Sequence, residues 1–246
     1  PMTLFAGLGA TSAVLMLVFK DTILGLAAGV RLTSNDMLHK GDWITVKSVD
    51  ANGIVEDMSL TTVKVRNFDN TIVTISPATL VNGSFQNWIG MQKSGGRRVK
   101  RIVYFDFRSI RLVDETLKQT LLAKHFATED SFKLKESLQK AIEKDIQEGK
   151  DIEDLKNPTA LAPTNLQLYR KFMEKYLRQR PEVNTELTLM VRHMEATQCG
   201  LPIEFYFFIK DKVWVNYEHI LADIMEHAYA LANEFGLKIY EQYPEQ

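Results

Sequence analysis

The N-terminal 30 residues constrain this chain most, because they form an almost uncharged apolar run. Residues 2–19 carry no charge, and after a single Lys20-Asp21 step the run continues to Val30. A helix over residues 2–19 would be ~27 Å long, close to the ~30 Å hydrocarbon core of a bilayer. The run is rich in Gly, Ala and Ser, and its last part, Gly25-Leu-Ala-Ala-Gly29, is a repeat that lets helix backbones approach closely. The run therefore predicts a membrane helix that packs beside other helices in an oligomer.

Two other interpretations of this run were weighed. A signal peptide would begin with basic residues and end at a cleavage site, and neither is evident here. A buried helix of a soluble protein could have the same composition, and this alternative stays open. Because the chain begins at Pro1 without an initiator Met, we expect a fragment from which upstream membrane helices are missing.

Bulk composition narrows the cellular setting. The 246 residues have a net charge of −1, which gives no global argument for nucleic-acid binding. Cys199 is the single cysteine, so an intrachain disulfide is excluded and a reducing cytosol fits. Basic residues follow the apolar run at Arg31, Lys40, Lys93, Arg97, Arg98, Lys100 and Arg101. The positive-inside tendency therefore predicts that the segment after the helix is cytoplasmic.

Three regions are predicted: a membrane helix with an interfacial extension (1–33), an all-β domain (36–92) and an α+β domain (97–243). The second region reads as five short strands divided by turn signals, among them 50–53, and predicts a small Sm-like barrel or a sandwich. Such a module leaves open sheet edges, which ring assembly with further copies would cover.

After a Ser94-Gly95-Gly96 linker, the third region alternates strand and helix patterns. The predicted elements are a strand at 99–107, a helix from Ser109 as N-cap, an amphipathic segment at 131–147, an irregular segment at 151–163, a helix capped by Thr164 and Asn165 and ending before Pro181, strands at 186–195 and 203–209, and a helix at 217–235. This order predicts an antiparallel sheet with helices on one face, ferredoxin-like with an insertion.

Several short motifs occur in a fixed order along the first hundred residues. They are Leu26-Ala-Ala-Gly-Val30, Gly41-Asp-Trp43, Gly53-Ile-Val55, Thr61-Thr62, Ile75-Ser-Pro77 and Asn87-Trp88. In this order they resemble the MscS-like family of mechanosensitive channels. The segment from Thr164 to Asn184, followed by Gly200-Leu-Pro202, is similar to the miniconductance-type branch of that family.

The resemblance implies a homoheptamer in a bacterial inner membrane, with the apolar helices lining a pore above a cytoplasmic vestibule. Membrane tension would open it and release ions and small solutes on hypo-osmotic shock. The implied partners are further copies of the chain, membrane lipids and the permeating solutes. No cofactor, metal, enzymatic chemistry or nucleic acid is expected.

The family pattern also implies a pore gate. Two apolar rings one turn apart map to Ala13 and Leu17, an i, i+4 pair on one helix face. Because Ala13 stands where Leu is usual, Leu17 is the expected main barrier, with Phe19 or Met16 as alternatives in a rotated register. A narrow apolar constriction of this kind excludes ions by dewetting. Simple packing of these side chains is the competing interpretation.

Helix packing and bending are expected from small residues. Ala6, Gly9, Ala10 and Ser12 keep the family's helix-to-helix packing pattern, whereas Val14 and Met16 stand at positions that are usually small. The predicted hinge region comprises Asp21, Gly25 and Gly29. Since Asp21 replaces the family's hinge glycine, Gly25 is the expected bend. The Lys20-Asp21 pair would influence ion preference at the cytoplasmic mouth or form a solvated interfacial pair.

Other chemistry finds little support in the sequence. His219, Asp223 and His227 share a helix face, but neither a cysteine nor a further ligand stands nearby in the sequence, so a solvated face is preferred to a metal site. Cys199 has no convincing partner for catalysis. The basic cluster 97–101 would suit RNA binding on an Sm-like ring, or an inter-domain linker. A membrane-anchored structural or regulatory ring with little conductance is the third alternative.

Overall fold

The computed structural model describes residues 2–133, 140, 143–144, 146–149 and 162–241, with the backbone alone for residues 2–8 and 10. The chain divides into two compact units, Pro1–Ser94 and Gly95–Gln246. The predicted fold class is confirmed: a long apolar helix, an antiparallel β-domain and an α+β region follow one another.

The first unit begins with α1 (Met2–Ser34), an uninterrupted helix of 33 residues. It continues through the Lys20-Asp21 step and through both glycines of the small-residue repeat. Its segment Thr11–Ser34 is long and apolar enough to cross a membrane, with a mean hydropathy of 1.9 over its best window. Among the described side chains of α1, Ala28 and Leu32 in its C-terminal third are buried, and Leu32 belongs to the core of the unit.

A five-stranded antiparallel sheet follows α1. Its strands are β1 (Trp43–Val46), β2 (Ala51–Met58), β3 (Val63–Asn67), β4 (Ile72–Ile75) and β5 (Gln86–Asn87), arranged in the order β4-β3-β2-β1-β5. Two short helices, α2 (Pro77–Asn82) and α3 (Ile89–Lys93), flank β5. Alternate residues of the strands turn inward, so that Ile44, Val46, Val55, Val63 and Val65 form a core with Leu32 of α1.

The predicted turn at residues 50–53 is placed too late. The chain turns in a 3₁₀ helix at Lys47–Val49 and at Asp50, whose φ of 52° is left-handed, and β2 begins at Ala51. Gly53 lies inside β2 and pairs with Asn67 of β3. A Cβ on Gly53 would lie 1.9 Å from the Arg66 carbonyl oxygen, so glycine is needed there for strand packing and not for a turn.

The second unit is an α+β layer structure. Strands β6 (Arg97–Phe105), β7 (Met190–His193) and β8 (Leu201–Ile209) form an antiparallel sheet in the order β6-β8-β7. Among the described residues, the unit also contains helices α4 (Glu115–Ala123), α5 (Asn165–Gln179) and α6 (Trp214–Glu234), and 3₁₀ turns at Phe107–Ser109 and Glu129–Phe132. After α6, Ile239 pairs with Phe105 of β6 as a single antiparallel bridge.

The N-caps of helices α4 and α5 show where the predicted helix starts are right and where they are wrong. Ser109 does not cap a helix; its hydroxyl donates to the Asp106 carbonyl oxygen inside a 3₁₀ turn. Asp114 is the N-cap of α4 instead, because its carboxylate accepts from the Leu117 amide. Thr164 caps α5 as predicted, accepting from the Gln167 amide at 3.1 Å.

Strand lengths also differ from the prediction. The strand predicted at 186–195 is paired over Met190–His193 alone, whereas β8 and α6 extend beyond their predicted starts. Most of the amphipathic segment predicted at 131–147 and of the irregular segment at 151–163 lies outside the described residues.

The core beneath the sheet contains a cluster of aromatic rings: the Tyr169 ring packs edge-on against the rings of Phe105 and Phe235.

Candidate pore helix and its attachment to the β-domain

The upper half of α1, here residues 11–24, is exposed to solvent in the single chain. From residue 11 to residue 24 every side chain is exposed, although most are apolar. Met16 and Leu17 are 73% and 74% exposed. An apolar helix exposed on all sides cannot be stable as a bare rod in water, because each uncovered Leu or Met side chain forgoes about 1.5–3 kcal/mol of burial. This half of the helix therefore needs lipid or further protein around it.

The predicted gate residues lie in this bare half. Ala13 and Leu17 are one turn apart on the same face of an unbroken helix, and both are exposed. Phe19, the alternative, is also exposed. A constriction would need the same side chains from several copies, so the gate stays a prediction.

The predicted packing residues share this environment. A Cβ on Gly9 would meet no atom within 4 Å, and Ser12 is exposed. The side chains of Ala6 and Ala10 lie outside the described residues. Of the four predicted packing residues, Gly9 and Ser12 are therefore open for close contact with another helix.

The lower part of α1 has the opposite character, since it is docked on the β-domain. Ala28 is 6% exposed and Leu32 fully buried, and α1 also packs against α2. Gly29 is buried as well, and a Cβ built on it would lie 2.2 Å from the Leu60 carbonyl oxygen. In contrast, a Cβ on Gly25 would meet nothing within 4 Å. The two glycines of the repeat are therefore in different surroundings.

The turn that contacts Gly29 is fixed by its own hydrogen bonds. The Ser59 amide donates to the Thr62 carbonyl oxygen at 2.8 Å, and the Ser59 Oγ accepts from the Thr62 amide at 3.0 Å. The hydroxyls of the same two residues are 2.7 Å apart. This turn between β2 and β3 explains the Thr61-Thr62 motif structurally. Leu60 was missed by the sequence analysis, because its backbone makes the contact and its side chain carries no signal.

Two other motifs meet where the helix leads into the sheet. The Asp42 carboxylate accepts from the His39 amide at 3.0 Å and from the Asn87 Nδ2 at 2.8 Å. The Asn87 side chain also donates to the Met37 carbonyl oxygen. These bonds tie the connection between α1 and β1 to the short strand β5. The Gly-Asp-Trp and Asn-Trp motifs, far apart in sequence, therefore form one structural joint.

The aromatic members of these motifs stack on each other. The rings of Trp43 and Trp88 lie 4.6 Å apart at 16°, and the Phe68 ring meets Trp43 edge-on. Each indole N–H is used: Trp43 Nε1 donates to Asn52 Oδ1 and Trp88 Nε1 to Thr45 Oγ1, both at 3.0 Å. The motif residues thus maintain the β-domain and do not present reactive groups.

The basic cluster at 97–101 belongs to strand β6, so the prediction of a basic linker is wrong; the linker ends at Gly96. The Arg97 guanidinium lies 4.2 Å from the centre of the Tyr217 ring, a cation–π contact. Lys100 Nζ is 3.6 Å from the carboxylate of Glu204, which is buried beneath it. A hydrogen bond from Arg192, opposed by burial, lowers the pKa of Glu204. Much of this positive charge is therefore engaged within the unit.

The histidine and cysteine residues considered for a metal site or for catalysis make structural contacts. The His227 ring stacks on Tyr176 and bonds to the Asp223 carbonyl oxygen at 2.7 Å. Cys199 is exposed, and its amide donates to Thr197 Oγ1. Within the described part of the chain, no cluster of three His, Cys, Asp or Glu side chains suitable for a metal ion was found.

A cavity of about 730 Å³ opens beside the C-terminal segment of the second unit. Its charged lining residues are Asp106, Arg108, Arg111, Lys238 and Glu241. Arg108 bonds to the Asp106 carboxylate, and these bonds lower the pKa of Asp106. Arg111 pairs in the same way with Asp114. The arginines of the cavity are thus neutralised by neighbouring carboxylates.

Comparison with known proteins agrees with this architecture. Residues 21–90 match the family model described as the mechanosensitive ion channel β-domain. The small-conductance mechanosensitive channel MscMJ of Methanocaldococcus jannaschii is 34% identical over 84 residues, which are 34% of this chain and 23% of that protein. The large-conductance channel MscMJLR of the same organism is 30% identical over 121 residues, or 49% and 33% of the two chains. The chain thus spans about a quarter to a third of these relatives.

Solved structures extend the similarity to the whole fold. Arabidopsis thaliana MSL1 superposes with a TM-score of 0.63 at 11% identity, covering 98% of this chain and 66% of that one. Helicobacter pylori MscS in its closed state gives 0.61 at 13% identity, covering 99% and 72%. The helix, the β-domain and the α+β unit are all included in these superpositions. The chain therefore shares the fold of these MscS-type structures, and its residues 21–90 match the β-domain model of mechanosensitive ion channels.

Proposed function

We propose that this chain forms part of a mechanosensitive ion channel of the bacterial inner membrane. The observation that carries the proposal is the junction within α1, where an exposed apolar segment continues without a break in the helix into a segment buried in a channel-type β-domain. A bare apolar helix needs lipid and neighbouring helices, and the open small residues at Gly9 and Ser12 suit the latter. Names of the related proteins support the same activity.

In this proposal seven copies surround a pore, and α1 lines it. The β-domain and the α+β unit lie on the cytoplasmic side, which agrees with the basic residues after the helix. Ala13 and Leu17 supply the apolar rings, and Leu17 is the main barrier, with Phe19 as the alternative. Tension opens the pore and releases ions and small solutes on hypo-osmotic shock. Lipid contacts the outer faces, and neither a cofactor nor enzymatic chemistry takes part.

The experiment is a pressure ramp on excised patches that contain the full-length protein, from cells lacking other such channels. Leu17→Ser should lower the opening pressure, because a polar ring no longer keeps a narrow pore dry. Val18→Ser is the matched control, since Val18 is 66% exposed, against 74% for Leu17, but points about 100° away around the helix. Reproducible pressure-gated currents with this pattern support the channel. An equal effect of both substitutions would remove Leu17 from the gate.

A membrane-anchored ring with structural or regulatory function is the second candidate. The observation that favours it is the presence of Val14 and Met16 at positions where the family pattern has small residues. These side chains would hold neighbouring helices further apart around Val14 and Met16, or change the angle at which the helices cross there. Electrically silent patches in which assembled rings are demonstrated would favour this candidate over the channel.

A further inference from the structure

The cavity beside the C-terminal segment of the second unit is bounded by three segments that lie far apart in the sequence. They are the loop after β6 at residues 106–111, the end of α6 with Gly236, and residues 238–241. The cavity volume of about 730 Å³ lies within the roughly 300–1,000 Å³ that small-molecule sites usually occupy. The cavity is therefore large enough for a small organic molecule.

A buried amide holds two of these walls together. The Asn165 side chain is fully buried, and its Nδ2 donates to the Ser109 carbonyl oxygen at 2.9 Å and to the Phe235 carbonyl oxygen at 3.1 Å. Its Oδ1 accepts from the Arg111 amide at 3.0 Å and from the Leu166 amide at 2.9 Å. Both donors and both acceptor positions of this amide are in use. The loop and the end of α6 are therefore fixed relative to each other before any ligand binds.

The third wall is attached to the end of β6 by backbone hydrogen bonds. The Asp106 amide donates to the Lys238 carbonyl oxygen at 2.9 Å, and the Tyr240 amide donates to the Tyr104 carbonyl oxygen at 2.8 Å. Lys238 and Tyr240, two residues apart on this segment, both line the cavity. Their side chains are therefore presented by a backbone that the sheet holds in place.

Three cationic residues line the cavity, and carboxylates orient two of them. Asp106 accepts from Nε and Nη2 of Arg108, and Asp114 accepts from Nη1 of Arg111. An arginine has five N–H groups, so a pair with one carboxylate leaves donors for a further anion. Among the residues that the structure describes, Nη1 of Arg108, Nη2 of Arg111 and the Lys238 ammonium have no acceptor. The cavity thus combines two oriented guanidinium groups with an available ammonium group.

We propose that this cavity binds a small organic anion that carries phosphate groups, of the class of a nucleoside diphosphate. The guanidinium fork matches the geometry of phosphate oxygens, and Lys238 adds a point charge. Tyr240 and Ile239 give the lining an apolar part that suits the organic portion of the ligand. This inference goes beyond the proposed channel function and does not depend on it.

Isothermal titration calorimetry tests the site on the full-length protein in nanodiscs of uncharged lipid, with ADP as the probe and without Mg²⁺. Pyrophosphate supplies the charges without the rings, and adenosine supplies the rings without the charges. We expect ADP to bind with a Kd of about 1 mM or lower, pyrophosphate to bind more weakly and adenosine not to bind. Absence of saturable ADP binding, or adenosine binding as tight as that of ADP, would overturn the proposal. Pyrophosphate binding as tight as that of ADP would overturn the part assigned to Tyr240 and Ile239.

Two substitutions with opposite expected effects distinguish an electrostatic site from a general disturbance of the fold. Lys238→Gln removes a charged donor and should weaken ADP binding by about 10-fold or more. Glu241→Gln removes a negative charge from the same wall and should strengthen ADP binding by about 5-fold, the factor for one unit charge at ~4 Å in water-like surroundings. Lys64→Gln is the matched control, because Lys64 is an exposed lysine of β3 and does not line the cavity.

Unchanged ADP binding in Lys238→Gln, or weaker binding in both cavity variants, would contradict the assignment. An increase in salt from about 0.1 M to about 1 M should weaken ADP binding, because the Debye length falls from ~10 Å to ~3 Å. Patch recordings keep this site separate from the channel hypothesis. Silent patches with intact ADP binding would reject the channel function alone, whereas pressure-gated currents without ADP binding would reject the site alone.

Discussion

The two halves of α1 have similar composition but opposite surroundings. From residue 11 to residue 24 most side chains are apolar and all are exposed in the single chain. After Gly25, in contrast, Ala28, Gly29 and Leu32 are packed into the β-domain. Hydrophobicity alone therefore does not tell which part of an apolar helix serves a membrane and which part serves a core. The difference lies in what the rest of the chain brings against each half.

The largest expected effect concerns the docked half. Leu32→Ala should destabilise the β-domain by about 2–5 kcal/mol, because Leu32 is fully buried and its loss leaves a cavity. Leu17→Ala, the control in the bare half, should change this stability by less than about 0.5 kcal/mol. Thermal unfolding of the full-length protein can be followed by Trp43 and Trp88 fluorescence in a Trp214→Phe background. Equal effects of both substitutions would break the comparison.

A substitution in the second unit, Glu204→Gln, serves as a comparison because Glu204 lies in neither half of α1. Glu204→Gln should destabilise that unit by about 1–2 kcal/mol, since a charge-assisted hydrogen bond to the half-exposed Arg192 is weakened. Trp214 fluorescence, with Trp43 and Trp88 replaced by Phe, reports this unfolding. Gating pressure should not move.

The same residue predicts a dependence on pH. The pKa of Glu204 is lowered from its ordinary value of 4.5 in the folded state, chiefly by the Arg192 hydrogen bond. Its stabilising contribution is therefore complete above pH 4.5 and is lost as the pH falls through the lowered value. The stability difference between wild type and Glu204→Gln should shrink in that acidic range. A difference that grows on acidification would contradict the assignment.

A smaller effect is expected where the halves join. Gly25→Ala should raise the gating threshold, because alanine removes about 1 kcal/mol of the glycine's backbone freedom from the proposed bend. Ala27→Gly, at an exposed position on the same turn, adds that freedom and should shift the threshold in the opposite direction. Pressure ramps measure both. Unchanged threshold and kinetics in Gly25→Ala would move the bend elsewhere.

The smallest effect concerns Thr33, whose hydroxyl donates to the Gly29 carbonyl oxygen. Thr33→Val keeps the shape and removes this bond, which only supplements the helix's own hydrogen bonds. The stability of the β-domain should change by less than about 0.5 kcal/mol, measured by the same tryptophan fluorescence. A shift as large as that of Leu32→Ala would show that the hydroxyl, and not apolar packing, holds the docked half.

Prediction from sequence succeeded where a local signal acts alone. Thr164 was identified as a cap and Pro181 as a stop because capping and chain termination depend on neighbouring residues. The prediction of Ser109 as a helix cap was wrong because Leu112 pairs with the distant Thr164, so that the helix begins only after Asp114, whose carboxylate caps it. Gly53 was mistaken for a turn residue because its partner, the Arg66 backbone, is distant in sequence.

The sequence by itself determined the apolar helix and the succession of β and α+β regions, because these follow from composition, periodicity and short-range spacing. It also carries the motifs that resemble the MscS-like family. Tertiary structure alone decided that the Asp-Trp and Asn-Trp motifs form one joint, and that Gly29, but not Gly25, contacts another backbone. The physical reason is that close packing depends on atoms brought together from distant parts of the chain, and a glycine's neighbours cannot be deduced from the glycine.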